Sequence, residues 1–277
     1  MTSARERRGT AVVTGASAGI GLAYAERLAA TGHDVVLVAR RADRLADLAD
    51  RLRRAYGGTV TPLTADLADP EGLAAVAERV TGDDVTHLVN NAGINGYGPF
   101  AGKDPGLIAA VLALNVTAPT LLTRAALPGL LARGRGAVVN VASLLAFSGA
   151  QPPGPLPHRA VYAGSKGYLV TFSRILAAEL VGTPVQVQVL CPGLTDTEFH
   201  LVDADRPLAG REPRSSGRGM AAADVVDASL AGLAADETVC VPGLADPAAV
   251  DRLLAAEAGL RTAAGAPLAD RYRPATG

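Results

Sequence analysis

The chain is poor in the features that mark several large protein classes. It has two cysteines in 277 residues, Cys191 and Cys240, far apart and outside any CxxC pattern. A disulfide framework is therefore excluded, and a reduced, cytoplasmic setting is expected. Two cysteines and four scattered histidines also leave too few ligands for a structural zinc site, so no metal is expected. Neither sign of charge is in excess: 27 Asp and Glu face 26 Lys and Arg, for a net charge of -1. A nucleic-acid-binding chain needs a basic surplus to neutralise phosphates, so nucleic acid is excluded as a partner. No uninterrupted apolar run approaches the ~20 residues a membrane helix needs, and no membrane partner is expected. Met1–Arg8 is polar and lacks an apolar stretch followed by a cleavage pattern, so no signal peptide is expected. Lysine is scarce as well. Only Lys103 and Lys166 break the dominance of arginine.

What is present is alternation. Short β-branched runs occur at Thr10–Thr14, Asp34–Ala39, Thr59–Leu63, Val85–Asn90, Gly136–Val141 and Val185–Leu190, with a further short one at Thr238–Val241. Several are apolar almost throughout, as expected of strands covered on both faces. Between them lie helical patterns at Ile20–Ala30, Ala42–Ala55, Glu71–Val80, Leu107–Leu131, Tyr162–Leu180 and Ala222–Ala234. Asp69-Pro70-Glu71 combines a cap, a proline and a first-turn acid at a helix start. Strand–helix alternation over the whole length predicts an α/β fold. It is a single doubly wound, Rossmann-like domain over residues 1–277, a parallel sheet of about seven strands with helices on both faces. Two segments break the rhythm. Gln151–Arg159 (QPPGPLPHR) is too rich in proline for a helix or a sheet interior. Residues of about 194–219 read as a long loop of the kind used as a lid. The tail, about 246–277, reads as a helix with a frayed end.

The first strand runs into Thr14-Gly15-Ala16-Ser17-Ala18-Gly19-Ile20-Gly21. Glycines between a strand and a helix let backbone approach a pyrophosphate, and the helix N-terminus offers free N–H groups and a positive dipole end. A tight strand–helix turn with no ligand is the competing reading of this G-x-x-x-G-x-G spacing. The end of the second strand then chooses the nucleotide. A carboxylate there would bond the ribose hydroxyls of NAD(H), whereas an arginine accommodates the 2′-phosphate of NADP(H). The strand ends Val38-Ala39-Arg40-Arg41. A guanidinium grips phosphate bidentately, so NADP(H) is favoured over NAD(H). The alternative is that Arg40 and Arg41 merely open a solvated helix.

Tyr162-Ala163-Gly164-Ser165-Lys166 opens a later helix. Positions i and i+4 lie one turn apart on one face, so phenol and ammonium can converge. A fixed positive charge favours tyrosinate, and a tyrosine so tuned can exchange a proton with an alkoxide. With two lysines in the chain, chance seldom places one at this spacing.

These residues bring the chain to a family. It resembles the short-chain dehydrogenases/reductases in their compact single-domain branch. The motifs stand in that family's order. They are Thr14–Gly21 (TGASAGIG), Asp66-Leu67, Asn90–Gly93 (NNAG), Asn115, Ser143, Tyr162–Lys166 (YAGSK), and Pro192-Gly193 with Thr195 and Thr197. The resemblance implies that Tyr162 is the general acid/base and that Lys166 binds the nicotinamide ribose and lowers the phenol pKa. It implies that Ser143 bonds the substrate carbonyl and that Asn115 holds a proton-relaying water. Gly15, Ser17, Gly19, Ile20 and Gly21 would line the pyrophosphate, and Arg40 and Arg41 the 2′-phosphate. Asp66 and Leu67 would line the adenine; Asn91, Ala92 and Gly93 the adenosine ribose region; Pro192, Gly193 and Thr195 the carboxamide. One departure stands out. Ser143 and Tyr162 are 19 positions apart, longer than the family's usual interval, and Gln151–Arg159 fits the insertion, expected to bulge at the rim.

The expected activity is an NADP(H)-dependent oxidoreductase, a ketone reductase acting on a small-molecule carbonyl/alcohol pair. Apolar candidates for the substrate wall are Tyr97, Phe100, Leu144, Leu145, Phe147, Leu194, Phe199 and Leu201. Two alternatives remain at this point: epimerase or dehydratase chemistry on the same fold, and a non-catalytic NADP-binding regulatory protein. The resemblance also implies a homotetramer or homodimer built through the helices Leu107–Leu131 and Tyr162–Leu180.

Overall fold

Strands in this chain place successive apolar side chains on opposite faces, and both faces are covered. Ala11, Val13, Val35 and Leu37 point into one core, and Val12, Val36 and Val38 into the other. The computed structural model describes residues 8–149, 151–152, 156–200, 219–265 and 268–273. The chain divides into two compact units, the first ending at Pro242 and the second beginning at Gly243.

The first unit follows the expected alternation closely. Its elements begin β1 (Thr10–Thr14), α1 (Gly19–Ala30), β2 (Asp34–Ala39), α2 (Ala42–Tyr56), β3 (Val60–Thr64), α3 (Pro70–Val80) and β4 (Val85–Asn90). They continue with α4 (Pro105–Leu112), α5 (Ala118–Arg133), β5 (Gly136–Val141), α6 (Ala160–Glu179) and β6 (Val185–Leu190). The last are β7 (Thr195–Asp196), β8 (Met220–Ala221), α7 (Ala222–Ala234) and β9 (Val239–Cys240). Seven strands form one parallel sheet in the order β3-β2-β1-β4-β5-β6-β9. Pro62 is tolerated because β3 is an edge strand, where a missing N–H costs no ladder bond. One core is filled from α1, α2 and α7 by Tyr24, Leu28, Leu45, Leu52 and Val226. The other is filled from α3, α5 and the end of α6 by Val76, Leu122, Ala126, Leu130 and Leu180. The expected cap at Asp69 is formed, its carboxylate accepting from the N–H groups of Glu71 and Gly72 at 3.1 Å.

Two sequence expectations are corrected here. The helix expected over Leu107–Leu131 runs from Pro105 to Arg133 and is interrupted by a π-helical turn at Ala113–Thr117. This helix is also long and apolar enough to cross a bilayer, with a mean hydropathy of 1.8 over its most apolar window. Asn115, Thr117, Thr120, Thr123 and Arg124 interrupt the run, so a search for continuous apolar sequence passes over it. In the fold Val111, Ala118, Leu122, Ala126 and Leu130 are buried in the protein core.

The expected lid segment begins with β7 and a 3-10 turn at Glu198–His200, and β7 pairs with β8, bringing Thr195 beside Met220. Residues 201–218 of that expectation, Leu201 among them, lie outside the described residues. The second unit contains the expected tail helix, α8 (Ala248–Ala263), whose start is held by the Asp246 carboxylate accepting from the Ala248 N–H at 3.1 Å.

His33, just before β2, and His87 of β4 meet edge to face at 4.6 Å. Burial lowers both pKa values, and His87, also repelled by His33 and Arg135, falls to about 4. Both rings are thus neutral in the fold and take up protons more readily in the unfolded chain. Their contribution is fully present above the unfolded histidine pKa of about 6.5 and is lost as pH falls through the lowered folded values, about 4 for His87. Melting temperatures across pH 7 to 4 should drop for the wild type and drop less for His87→Phe. Parallel pH profiles would remove His87 from this account.

Candidate active site

The strand order reverses between β1 and β4, so their C-terminal ends flank a crevice. Thr14 closes its floor. Its hydroxyl donates to the Val89 carbonyl at 3.2 Å and accepts from the N–H groups of Asn91 and Ala92 at 2.9 and 3.0 Å. The Asn91 amide donates back to the Thr14 carbonyl at 2.9 Å. This latch sets what can follow. Gly15 has φ +66°, and a Cβ there would sit 2.6 Å from the Asn91 amide nitrogen. Gly21 is buried behind the turn, where any Cβ would collide with the Gly15 carbonyl. It therefore packs α1 against the turn and does not line the crevice. α1 begins with no side-chain cap and no acid in its first turn, leaving its first N–H groups facing the cleft beside Ser17, Gly19 and Ile20.

One continuous cleft of about 1540 Å³ runs from this turn to Tyr162. That exceeds the span of ~300–1,000 Å³ typical for a single small-ligand pocket, and leaves room for a dinucleotide and a second molecule. At one end Arg40 and Arg41 face it. The Arg40 guanidinium lies 3.7 Å from the Asp66 carboxylate, with both side chains largely exposed. Arg41 donates from Nε and Nη2 to the Ser17 hydroxyl at 3.1 and 2.8 Å. Asp66, Leu67, Asn91, Ala92 and Gly93 all line the same cleft.

At the other end Tyr162 and Lys166, one turn apart on α6, are both buried. The Lys166 ammonium donates to the Val141 carbonyl at 2.8 Å and lies 5.8 Å from the Tyr162 ring centroid. Burial pulls its pKa down to about 8. The phenol pKa expected to be lowered by Lys166 is instead raised: burial and the neighbouring Tyr97 hold Tyr162 well above its ordinary value, while a hydrogen bond with Ser143 pulls it back. Ser143 and Tyr162 therefore meet despite the long interval between them. Two aromatic rings pack against Tyr162, that of Tyr97 at 5.3 Å and that of Phe199 at 5.7 Å. Pro192, Gly193 and Thr195 line the cleft beside them, and the Leu144 N–H donates to the Pro192 carbonyl at 2.8 Å.

Asn115 is fully buried at the π-helical turn and does not line the cleft. Its side chain exchanges two 3.0 Å bonds with the backbone of Ile94 and donates to the Ser165 hydroxyl at 3.1 Å. Gly93 sits between it and Lys166. A Cβ there would lie 3.1 Å from Asn115 Oδ1 and 3.5 Å from Lys166 Nζ. Of the expected apolar wall, Tyr97, Leu144, Leu145, Phe147, Leu194 and Phe199 line the cleft. Phe100 does not: it lies in a 3-10 turn and is 63% exposed.

Sequence reasoning missed Arg159. Its buried guanidinium ties together the described ends of the proline-rich insertion. It donates to the Ser148 hydroxyl at 2.7 Å, to the carbonyls of Ser148 and Gln151 at 2.9 Å, and to that of Pro157 at 3.1 Å. Leu156 and Pro157 then form part of the cleft wall. The only hint in the sequence was its place, between a proline-rich stretch and a helix start. Residues 153–155 of the insertion lie outside the described residues.

A doubly wound parallel sheet, a glycine turn at the strand-order reversal and a buried tyrosine–lysine pair in one cleft define a dinucleotide-binding α/β class. Comparison with known proteins gives the family. The short chain dehydrogenase model matches residues 9–205. A short chain dehydrogenase of Pseudocercospora fijiensis is 38% identical over 208 residues, 74% of this chain and 65% of that protein. The chain thus spans just under two thirds of that relative's length. Among solved structures, a short-chain dehydrogenase from Sphingobium yanoikuyae in complex with NADPH has a TM-score of 0.85 and 36% identity, covering 95% of this chain and all of that one. The bulky-bulky ketone specific alcohol dehydrogenase from Comamonas testosteroni has a TM-score of 0.84 and 32% identity, covering 97% and 100%. The chain belongs to the short-chain dehydrogenase family, a family of oxidoreductases.

Bonds from a charged donor are worth roughly 1.5–3 kcal/mol when their acceptors are otherwise buried. Arg159→Met should therefore lower stability by about 2–3 kcal/mol in urea unfolding. Arg159→Lys should recover little, because one ammonium cannot span four acceptors. Full stability in the lysine variant would show that the clamp needs only charge.

Proposed function

We propose that this chain is an NADP(H)-dependent carbonyl reductase acting on a largely apolar ketone, with Tyr162 as proton donor. The observation that carries the reading is the shared cleft, which joins the Tyr162, Ser143 and Lys166 groups to the guanidiniums of Arg40 and Arg41. The residues fit a dinucleotide: Gly15, at φ +66°, makes a turn that carries no side chain into the cleft, and α1 presents uncapped N–H groups. Gly15, Ser17, Gly19 and Ile20 would hold the pyrophosphate, Arg40 and Arg41 the 2′-phosphate, and Asp66 and Leu67 the adenine. Asn91, Ala92 and Gly93 would flank the adenosine ribose, and Pro192, Gly193 and Thr195 the nicotinamide. When bound, NADPH supplies the hydride.

The chain's own groups manage the oxygen. A phenol held above its ordinary pKa is protonated near neutral pH, the form required to donate to a developing alkoxide. Ser143 would accept or donate at the same oxygen and orient the carbonyl. Lys166, protonated below about pH 8, would hold the ribose and stabilise tyrosinate as the proton leaves. Asn115 keeps the Ile94 backbone and Ser165 in place behind Lys166. The relatives support this reading, one solved with NADPH and another specific for ketones with two bulky groups. The apolar wall of Leu144, Leu145, Leu194 and Phe199 suits such a substrate.

Tyr162→Phe should cut turnover of any accepted ketone by at least ~100-fold, the scale of one lost general acid. NADPH titration of the variant should remain nearly unchanged. Comparable turnover in the variant would remove Tyr162 from the chemistry.

We infer that the outer faces of α5 and α6 serve a homodimer or homotetramer interface. Leu121 and Ile175 are 47% and 55% exposed there. Tyr168 bridges the two helices, its hydroxyl 3.1 Å from that of Thr120. Sedimentation should give a mass of two or four chains for the wild type and a smaller one for Leu121→Asp/Ile175→Asp. A monomeric wild type would reject this interface.

A further inference from the structure

One short segment joins the two ends of the cleft. Thr197 covers the glycine turn: a Cβ on Gly19 would sit 3.0 Å from its methyl group. Glu198, the next residue, reaches to α2. Its carboxylate accepts from Arg41 Nη1 at 2.9 Å and from Arg44 Nη1 at 2.8 and 3.0 Å. Phe199, one residue further, lies against Tyr162, and its carbonyl accepts from the Asn95 amide at 3.2 Å.

Arg41 thus has two anchors, Ser17 of the phosphate turn on one edge and Glu198 on the other. It stands at the N-terminal end of α2, where the helix dipole adds to the attraction for an anion. An oxyanion gripped by two guanidiniums beside a glycine turn is phosphate-binding chemistry, here carried out on a carboxylate. The Glu198 side chain is only 18% exposed. Burial alone would raise its pKa, but the hydrogen bonds from Arg41 and Arg44 outweigh it and keep the group ionised at neutral pH.

We propose that Glu198 is the chain's own occupant of the 2′-phosphate position, an internal carboxylate that the phosphate of NADP(H) displaces from Arg41 and Arg44. The proposal rests on the NADP(H) reading above. Two consequences distinguish it from a plain surface ion pair. Glu198 weakens binding of the phosphorylated nucleotide and leaves NAD(H) unaffected, because only the 2′-phosphate competes for the Arg41 guanidinium and meets the carboxylate's charge. Displacement also releases the segment next to Phe199, so arrival of the phosphate is felt beside Tyr162.

Glu198→Gln keeps the shape and removes the charge. Calorimetric titration at fixed ionic strength should show NADPH binding about fivefold more tightly to this variant, the scale expected of exposed ion pairs, with NADH unchanged. The chain has no tryptophan, so Phe199→Trp supplies a single fluorescent reporter. Its emission should change on adding 2′,5′-ADP and stay constant on adding 5′-AMP. This second test leaves Glu198 in place, so it stands even if the glutamine variant folds poorly. Equal effects of Glu198→Gln on both nucleotides, or weaker NADPH binding, would reduce Glu198 to a tether and overturn the proposal, as would a reporter blind to 2′,5′-ADP. A wild type that binds NADPH no better than NADH would instead overturn the NADP(H) reading, and this proposal with it.

Discussion

The cleft depends on how the chain manages the reversal of strand order between β1 and β4. Neighbouring parallel strands at such a point send their following segments apart, and a crevice opens between them. Left to itself, that crevice would expose unpaired backbone groups at two strand ends. Thr14 and Asn91 prevent this. One hydroxyl and one amide satisfy four backbone groups across the gap, from Thr14, Val89, Asn91 and Ala92. Because the Asn91 side chain fills the space beside the turn, no Cβ can stand at Gly15 or Gly21. The glycine spacing, the close approach of α1 and the width of the crevice follow from that one latch.

The same economy of partners governs the buried cations. Lys166 and Arg159 are both removed from water, and among the described residues neither is paired with a carboxylate. Lys166 is held by one backbone carbonyl, and the guanidinium of Arg159 by three carbonyls and a hydroxyl. A buried carboxylate partner would fix the charge but would also neutralise it. Carbonyl acceptors leave it uncompensated. For Arg159 the outcome is mechanical, closing the base of the insertion. For Lys166 it is electrostatic: burial pulls its pKa down, and one carbonyl is its hydrogen-bond acceptor. The chain has almost no net charge, yet it places the guanidiniums of Arg40 and Arg41 at one end of this cleft, with Asp66 and Glu198 as their counter-ions.

Membership of the short-chain dehydrogenase family and the parallel sheet agree with the reading of the motifs. The strands were legible because a strand covered on both faces must be apolar at nearly every position, a purely local property. Even the short β9 was marked by Thr238–Val241. The helix carrying Tyr162 and Lys166 was legible because 3.6 residues per turn bring i and i+4 together in any helix. Less legible was the segment around Asn115. A π-helical turn inserts one residue into an otherwise regular helix, and nothing in the residue pattern announces it.

By itself, then, the sequence determined the order of strands and helices, the glycine turn and the tyrosine–lysine pair, since each is written within a few consecutive residues whose spacing acts directly through backbone geometry. Only the tertiary structure decided which side chains share the cleft. Arg41 meets Glu198 across 157 positions of chain, Phe100 turns outward while Phe199 turns in against Tyr162, and Arg159 gathers the ends of an insertion that sequence could only mark as irregular. The reason is physical: a side chain's partners depend on how helices rotate and loops return over the sheet, and these are settled by packing between segments remote in sequence.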